Sequence, residues 1–175
     1  MKVSLVAVVS INGKITQGFN SSIAAWASKE DSVFFKKMLA KHTAVVMGNN
    51  TYKEIKPRPS NAKLRVIMSK NPKAISSNAH VPGQIEFTNA TPKAIVDDLY
   101  ERGHSSVLVL GGSQIYSQFL DSGLVSDIYL TVEPTIFNDG LDMLSNLKNN
   151  VKCSLVKAEV LNKQGTLLLH YKSLS

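Results

Sequence analysis

Val107-Leu108-Val109-Leu110-Gly111-Gly112-Ser113-Gln114-Ile115-Tyr116 is the stretch that decides the fold. Four apolar residues in a row read as a strand buried on both faces. The glycine pair stops it. Ile115, Tyr116, Phe119 and Leu120 then recur at helical spacing. A buried strand that passes through a tight turn into a helix is the repeating unit of a parallel α/β sheet. The double glycine would let a ligand approach the backbone closely. The helix start would offer free N–H groups and partial positive charge to a phosphate. A ligand-free strand-to-helix turn explains the same residues, and the run matches neither G-x-G-x-x-G nor the P-loop pattern.

The same alternation extends outward in both directions. Lys2 to Val9 reads as a buried strand, followed by a loop from Ile11 to Ala25 rich in Gly, Asn and Ser. Ser28 is placed to cap a helix, with Asp31 three residues on, as in a capping box. Phe34, Phe35, Met38 and Leu39 then face inward. Thr43 to Met47 is a short strand, and Thr51 to Ile55 a short helix ended by Pro57 and Pro59. Strands follow at Leu64 to Ser69 and Gln84 to Thr88, with an irregular segment between. Thr91 and Pro92 start a helix that Gly103 ends. Val125 to Val132 is a strand stopped by Pro134. Lys152 to Leu161 and Thr166 to Lys172 flank Asn162-Lys163-Gln164-Gly165 as an antiparallel hairpin. The expected fold is an α/β, three-layer αβα sandwich. Its central sheet is mixed but mostly parallel and carries a C-terminal antiparallel hairpin, all in one domain over 1–175. Ligands of such sheets bind beyond the carboxyl ends of the strands.

Composition narrows the function classes. The chain has 175 residues, 43% hydrophobic and 19% charged, which is globular rather than disordered. No apolar run approaches the roughly 20 residues of a membrane span. The apolar start Met1 to Ser10 flows into Ile11-Asn12-Gly13-Lys14 as a strand and turn, and lacks the small-residue site of a signal peptide. Cys153 is the lone cysteine, which fits a reducing compartment. The expectation is a cytoplasmic protein without a membrane partner. A net charge of +7 raises the question of nucleic acid. The basic residues are scattered without interleaved aromatics, so no nucleic-acid partner is expected. His42, His80, His104 and His170 lack ligand spacing with Cys153 or the acids, so no metal site is expected.

Four further positions could carry chemistry. Asp31 stands in the first turn of an apolar helix. There it is either a charge that favours the helix dipole or an acid whose pKa is raised against Trp26 and Phe35. Met47-Gly48-Asn49-Asn50-Thr51-Tyr52 again runs from strand through glycine into helix, as a bland turn or as a phosphate or ribose contact. Ser69 and Lys70 leave a strand at the edge where the glycine turns fall, either as a solvated strand end or as a hold for an anionic group. Thr131 and Glu133 share one face of a strand. Either could point into a pocket or line the exposed face, where Glu133, just before Pro134, would be a strand-end charge.

The ordered set resembles the dihydrofolate reductase superfamily. It comprises Ser10-Ile11-Asn12-Gly13-Lys14-Ile15, Trp26 with Asp31, Met47-Gly48 with Thr51-Tyr52, Arg65 to Ser69, Gly111-Gly112 with Ile115-Tyr116, and Leu130-Thr131. The Ser-Ile-Asn-Gly-Lys-Ile opening and Gly123-Leu124-Val125-Ser126-Asp127-Ile128-Tyr129-Leu130 are closer to its sister family, the riboflavin-pathway pyrimidine reductases. The resemblance implies NADPH-dependent hydride transfer to a pterin or pyrimidine substrate, by a monomer or a homodimer. It implies that Asp31 binds the amino-pyrimidine edge and supports protonation, that Thr131 holds Asp31, and that Trp26 borders the active-site loop. Phe35, Ile55 and Lys63 fall at substrate positions. Ala7, Ile15, Gly48, Asn49, Asn50, Thr51, Ser69, Lys70, Gly111, Gly112, Ser113, Gln114, Ile115 and Tyr116 fall at cofactor positions.

Three departures stand out. Asn49 replaces an Arg near the adenosine phosphates. Lys63 replaces the Arg that clamps the folate glutamate, and is a weaker bidentate partner. The loop from Thr16 to Ala25 is longer than in compact relatives and lacks the usual Leu-Pro before the Trp. The first expectation is therefore reduction of dihydrofolate. The alternatives are a ribosylaminopyrimidine reductase and a noncatalytic nucleotide-binding module.

Overall fold

Nine consecutive residues, Lys2–Ser10, form β1, and every one after Lys2 is buried. A strand with no polar face belongs in the middle of a sheet covered on both sides. The computed structural model describes residues 1–18, 22–75 and 79–174. Parts of the expected loop at 16–25 and of the irregular segment at 71–83 lie outside them, as does residue 175.

The described residues form one eight-stranded sheet in the order β4-β3-β2-β5-β1-β6-β8-β7. The strands are β1, β2 (Ala44–Gly48), β3 (Leu64–Met68), β4 (Ile85–Thr88), β5 (Ser106–Val109), β6 (Asp127–Glu133), β7 (Lys152–Val160) and β8 (Leu167–Leu174). β1 to β6 pair in parallel. β8 pairs antiparallel with both β6 and β7. It is thus the one strand running against the rest, and β7 returns in the common direction at the edge.

Among the described residues four α-helices pack on the sheet, α1 (Lys29–Lys41), α2 (Asn49–Ile55), α3 (Pro92–Glu101) and α4 (Ser113–Asp121), while β7 is exposed along its length. Alternation along the strands divides the core in two. Val6, Val45, Met47, Ile67 and Leu108 pack with Met38 of α1 and Tyr52 of α2 on one face. Val3, Leu5, Val46, Val107 and Val109 pack with Ile95, Leu99 and Phe119 of α3 and α4 on the other. This is the three-layer α/β sandwich expected from the sequence. Strand and helix bounds agree with the sequence reading to within about two residues. Two single turns of 3-10 helix, at Ile23–Ala25 and Pro72–Ala74, lie in segments read as irregular.

The ladder between β1 and β5 ends at Leu5 and Val109, while β1 and β6 continue to Ser10 and Glu133. Past that point the Tyr116 hydroxyl donates to the Val6 carbonyl at 2.7 Å. The sheet therefore parts between β1 and β5 at its carboxyl edge, a position that suits ligands in open α/β sheets.

Candidate active site

The start of α1 is held by two residues in a relay. The Ser28 side chain accepts from the Asp31 amide at 3.2 Å, which makes Ser28 the cap expected from the sequence. In a capping box the residue at Asp31 would return the favour to the Ser28 amide. Here that amide donates instead to Glu133 Oε1 at 2.7 Å. Glu133 Oε2 accepts from the Thr166 hydroxyl at 2.6 Å. Glu133 is only 3% exposed. The reading of Glu133 as a strand-end charge is thereby corrected, as is the reading of Asp31 as a capping-box acid. A carboxylate with both oxygens bonded can stay buried where a free one could not.

Released from the cap, the Asp31 carboxyl is buried, the residue being 7% exposed, and it faces Thr131 on β6. Burial pushes its pKa above the ordinary Asp range, and the negative charge of Glu133 adds to the rise. The Thr131 hydroxyl opposes it by favouring the charged form. The two groups are neighbours without full hydrogen-bond geometry. Thr131 Oγ1 and Trp26 Nε1 are both buried with no hydrogen-bond partner among the described residues. Trp26 packs edge-on against Phe137 at 5.1 Å between ring centroids. Burial first, and the Asp31 charge second, raise the pKa of Tyr116, whose hydroxyl donates to the Val6 carbonyl. Asp31, Thr131, Glu133 and Tyr116 thus converge from α1, β6 and α4.

The glycine turns meet beside them. The Gly48 amide donates to the Gly111 carbonyl at 2.7 Å. A Cβ at Gly48 would lie 3.1 Å from the Ile115 side chain, so any larger residue there would press on α4. At Gly111, with φ of +87°, a Cβ would sit 2.6 Å from the Tyr116 ring. The peptide between Gly111 and Gly112 is cis. A Cβ at Gly112 would sit 3.7 Å from Thr51 Oγ1 and 3.9 Å from Ile15. Those three expected cofactor residues therefore border one space, with the first turns of α2 and α4 opening on it. Backbone bared by glycine at two helix starts fits a pyrophosphate, so the residues present suit a dinucleotide cofactor. Asn49 and Asn50 lie in the first turn of α2, and Ser113 and Gln114 in that of α4. The Ser113 hydroxyl is already engaged by the Asp142 carbonyl. Ala7 is buried in the β1 core. Ser69 and Lys70 follow β3 immediately, next to the Gly48 end of β2, with Lys70 exposed.

Two expected substrate positions differ from this picture. The Lys63 ammonium donates to the Leu39 and His42 carbonyls, so it finishes the C-terminus of α1. Burial and the nearby Arg65 charge lower its pKa. Ile55 is 48% exposed at the end of α2. Phe35 packs partly buried on the α1 side of the sheet.

The sequence reading overlooked the 135–143 segment. It is zipped to the loop after β1 by Ile11 N–H to Thr135 O, Ile15 N–H to Leu141 O, and the Asn12 side chain, whose Nδ2 donates to the Phe137 carbonyl and whose Oδ1 accepts from the Phe137 amide. Asn138-Asp139-Gly140 was the available signal. A Cβ at Gly140 would lie 2.0 Å from the Thr16 carbonyl. An open cleft of about 470 Å³ runs along the other side of α1, lined by Glu30, Phe34, Tyr129, Lys157 and His170 among others. Two of its charged side chains are paired, His170 with Asp127 and Lys157 with Glu159. Trp26 and Thr131, by contrast, bring two of the three unpartnered buried donors among the described residues to the Asp31 side, the third being Ser4. Among the described residues no cluster of His, Cys, Asp and Glu could hold a metal ion. No helix among them is long and apolar enough to cross a membrane.

Comparison with known proteins agrees with the fold. A Shewanella protein provisionally assigned to riboflavin biosynthesis superposes with a TM-score of 0.84 at 16% identity, covering all of both chains. The deaminase/5-amino-6-(5-phosphoribosylamino)uracil reductase of Thermotoga maritima gives 0.79 at 23% identity over 99% of this chain and 56% of that one. The dihydrofolate reductase of Buchnera aphidicola from Schizaphis graminum is 29% identical over 131 residues, 75% of this chain and 71% of that protein. The chain spans 25% of a bifunctional dihydrofolate reductase-thymidylate synthase of Paramecium tetraurelia. The model of the RibD C-terminal domain matches residues 1–167. The chain belongs to the RibD C-terminal domain family, a reductase family with the dihydrofolate reductase fold.

Proposed function

We propose that this chain uses NADPH to reduce a phosphoribosylamino-pyrimidine, the substrate class of the riboflavin-pathway reductases. The observation that carries the reading is the buried Asp31 carboxyl facing Thr131 beside the Gly48 and Gly111-Gly112 cradle. Family membership supports it over the first expectation, dihydrofolate. So does Lys63, whose ammonium is spent on α1 carbonyls and is not free to hold a glutamate.

The nicotinamide cofactor supplies the hydride. The chain's own residues hold and protonate. Ionised Asp31 would accept N–H groups of an amino-pyrimidine edge. Its raised pKa keeps a proton exchangeable closer to neutral pH. Thr131 and Trp26 offer hydroxyl and indole donors to the same substrate edge. Ile15, Ala7 and Tyr116 would border the nicotinamide. Gly48, Thr51, Gly111, Gly112 and the first turn of α4, with Ser113, Gln114 and Ile115, would hold the pyrophosphate. Asn49, Asn50, Ser69 and Lys70 would meet the adenosine end.

Dihydrofolate is the second reading. The Trp26, Asp31 and Thr131 set favours it, because the 2-amino-pyrimidine edge of a pterin offers adjacent N–H groups to a carboxylate, where a uracil carries a carbonyl.

NADPH oxidation with each substrate separates the two. Turnover is expected with 5-amino-6-(5-phosphoribosylamino)uracil, falling by about 10²-fold or more in Asp31→Asn. Absence of turnover with that substrate sinks the reading. Turnover with dihydrofolate alone transfers it to the second, and NADPH binding with neither leaves a noncatalytic nucleotide-binding module.

A further inference from the structure

Glu133 has no place in the reaction just described, yet it is a buried acid at the edge of the site. Its two oxygens are committed, one to the Ser28 amide at 2.7 Å and one to the Thr166 hydroxyl at 2.6 Å. It lies two residues along β6 from Thr131, on the same face. Ser28 in turn holds the Asp31 amide. The Ser-x-x-Asp pattern would by itself fold the Asp31 carboxyl back onto the Ser28 amide. That bond would stabilise the charged carboxylate and turn it away from a substrate.

We infer that Glu133 is a positioning residue: it takes the helix-cap amide that Asp31 would otherwise take, leaving the Asp31 carboxyl free to face the site. The inference deepens the reading of Asp31 as the acid that meets substrate and rests on it. Thr166, at the start of β8, would fix Glu133 in this role, so the C-terminal hairpin helps to aim an acid on α1. Glu133 from β6 and Tyr116 from α4 are the titratable groups bearing on Asp31. Lys29 and Glu30, beside it on α1, are exposed.

The test is a titration of the Asp31 carboxyl in the ligand-free full chain, followed by NMR with labelled aspartate and assigned with Asp31→Asn. Glu133→Asp keeps the charge but retracts it from the Ser28 amide. Glu133→Gln keeps the length and an acceptor oxygen but loses the charge. Positioning predicts the larger change in Glu133→Asp: Asp31 takes the cap amide and its midpoint falls by about one pH unit. Glu133→Gln should cause a smaller fall and retain more of the turnover. Glu133→Ala, without any acceptor, gives the same direction as Glu133→Asp if the latter folds poorly. A larger fall in Glu133→Gln than in Glu133→Asp would assign a purely electrostatic role and overturn the inference. An unmoved midpoint in all three would also overturn it. The titration contains no substrate, so its outcome is separate from whether the proposed substrate is correct.

Discussion

Asp31 illustrates how one residue trades stability for chemistry. Burial first, and Glu133 second, raise its pKa, while Thr131 pulls the other way. The folded chain therefore keeps a proton on Asp31 at pH values where the unfolded chain has lost it. Stability from this group is complete below the ordinary Asp range and declines as pH rises through that range to the raised value. Above that value the penalty is constant. Asp31→Asn cannot ionise, so it should raise Tm at neutral pH, with the advantage shrinking toward low pH. Thermal melts across that range check this, and a mutant no more stable than wild type at neutral pH would contradict it. At this scale the sequence left Asp31 as either a dipole charge or a buried acid. Its fate turns on Glu133, which lies 102 positions away in the chain and closes on α1 only when β6 is in place.

At the scale of the element, α1 is held at both ends by partners from elsewhere in the chain. α1 begins on Ser28 and Glu133 and finishes on Lys63, whose ammonium meets the Leu39 and His42 carbonyls. Helix ends expose several carbonyls that need such partners. Lys63→Met should lower stability by about 1–3 kcal/mol, because those carbonyls lose a charged donor. KM for either substrate should stay within about twofold on the same grounds, since this donor faces α1 rather than the site. Chemical denaturation and steady-state kinetics read the two effects separately. A large rise in KM with unchanged stability would restore Lys63 to the substrate. The boundaries of α1, α3 and α4 were legible because caps, proline and glycine act within a turn of where they stand. Lys63 was not, because its partners belong to a different element.

For the whole molecule, inner strands buried on both faces support two separate cores. Phe119, fully buried on the α4 side, fills one of them. Phe119→Ala should cost about 3–5 kcal/mol, measured as a lower denaturation midpoint. A loss under about 1 kcal/mol would mean that face is loosely packed. The sequence by itself determined the α/β class, the strand and helix order, and the glycine turns at Gly48 and Gly111-Gly112. These are set by apolar periodicity and backbone freedom, which operate over a few residues. The tertiary structure alone decided that β8 rather than β7 pairs with β6, the parting of β1 from β5, and the zip between the β1 loop and the 135–143 segment. It also decided that Glu133 rather than Asp31 caps α1. Those features depend on which distant segments compete for the same hydrogen-bond donor, and that competition is resolved only when the strands lie side by side.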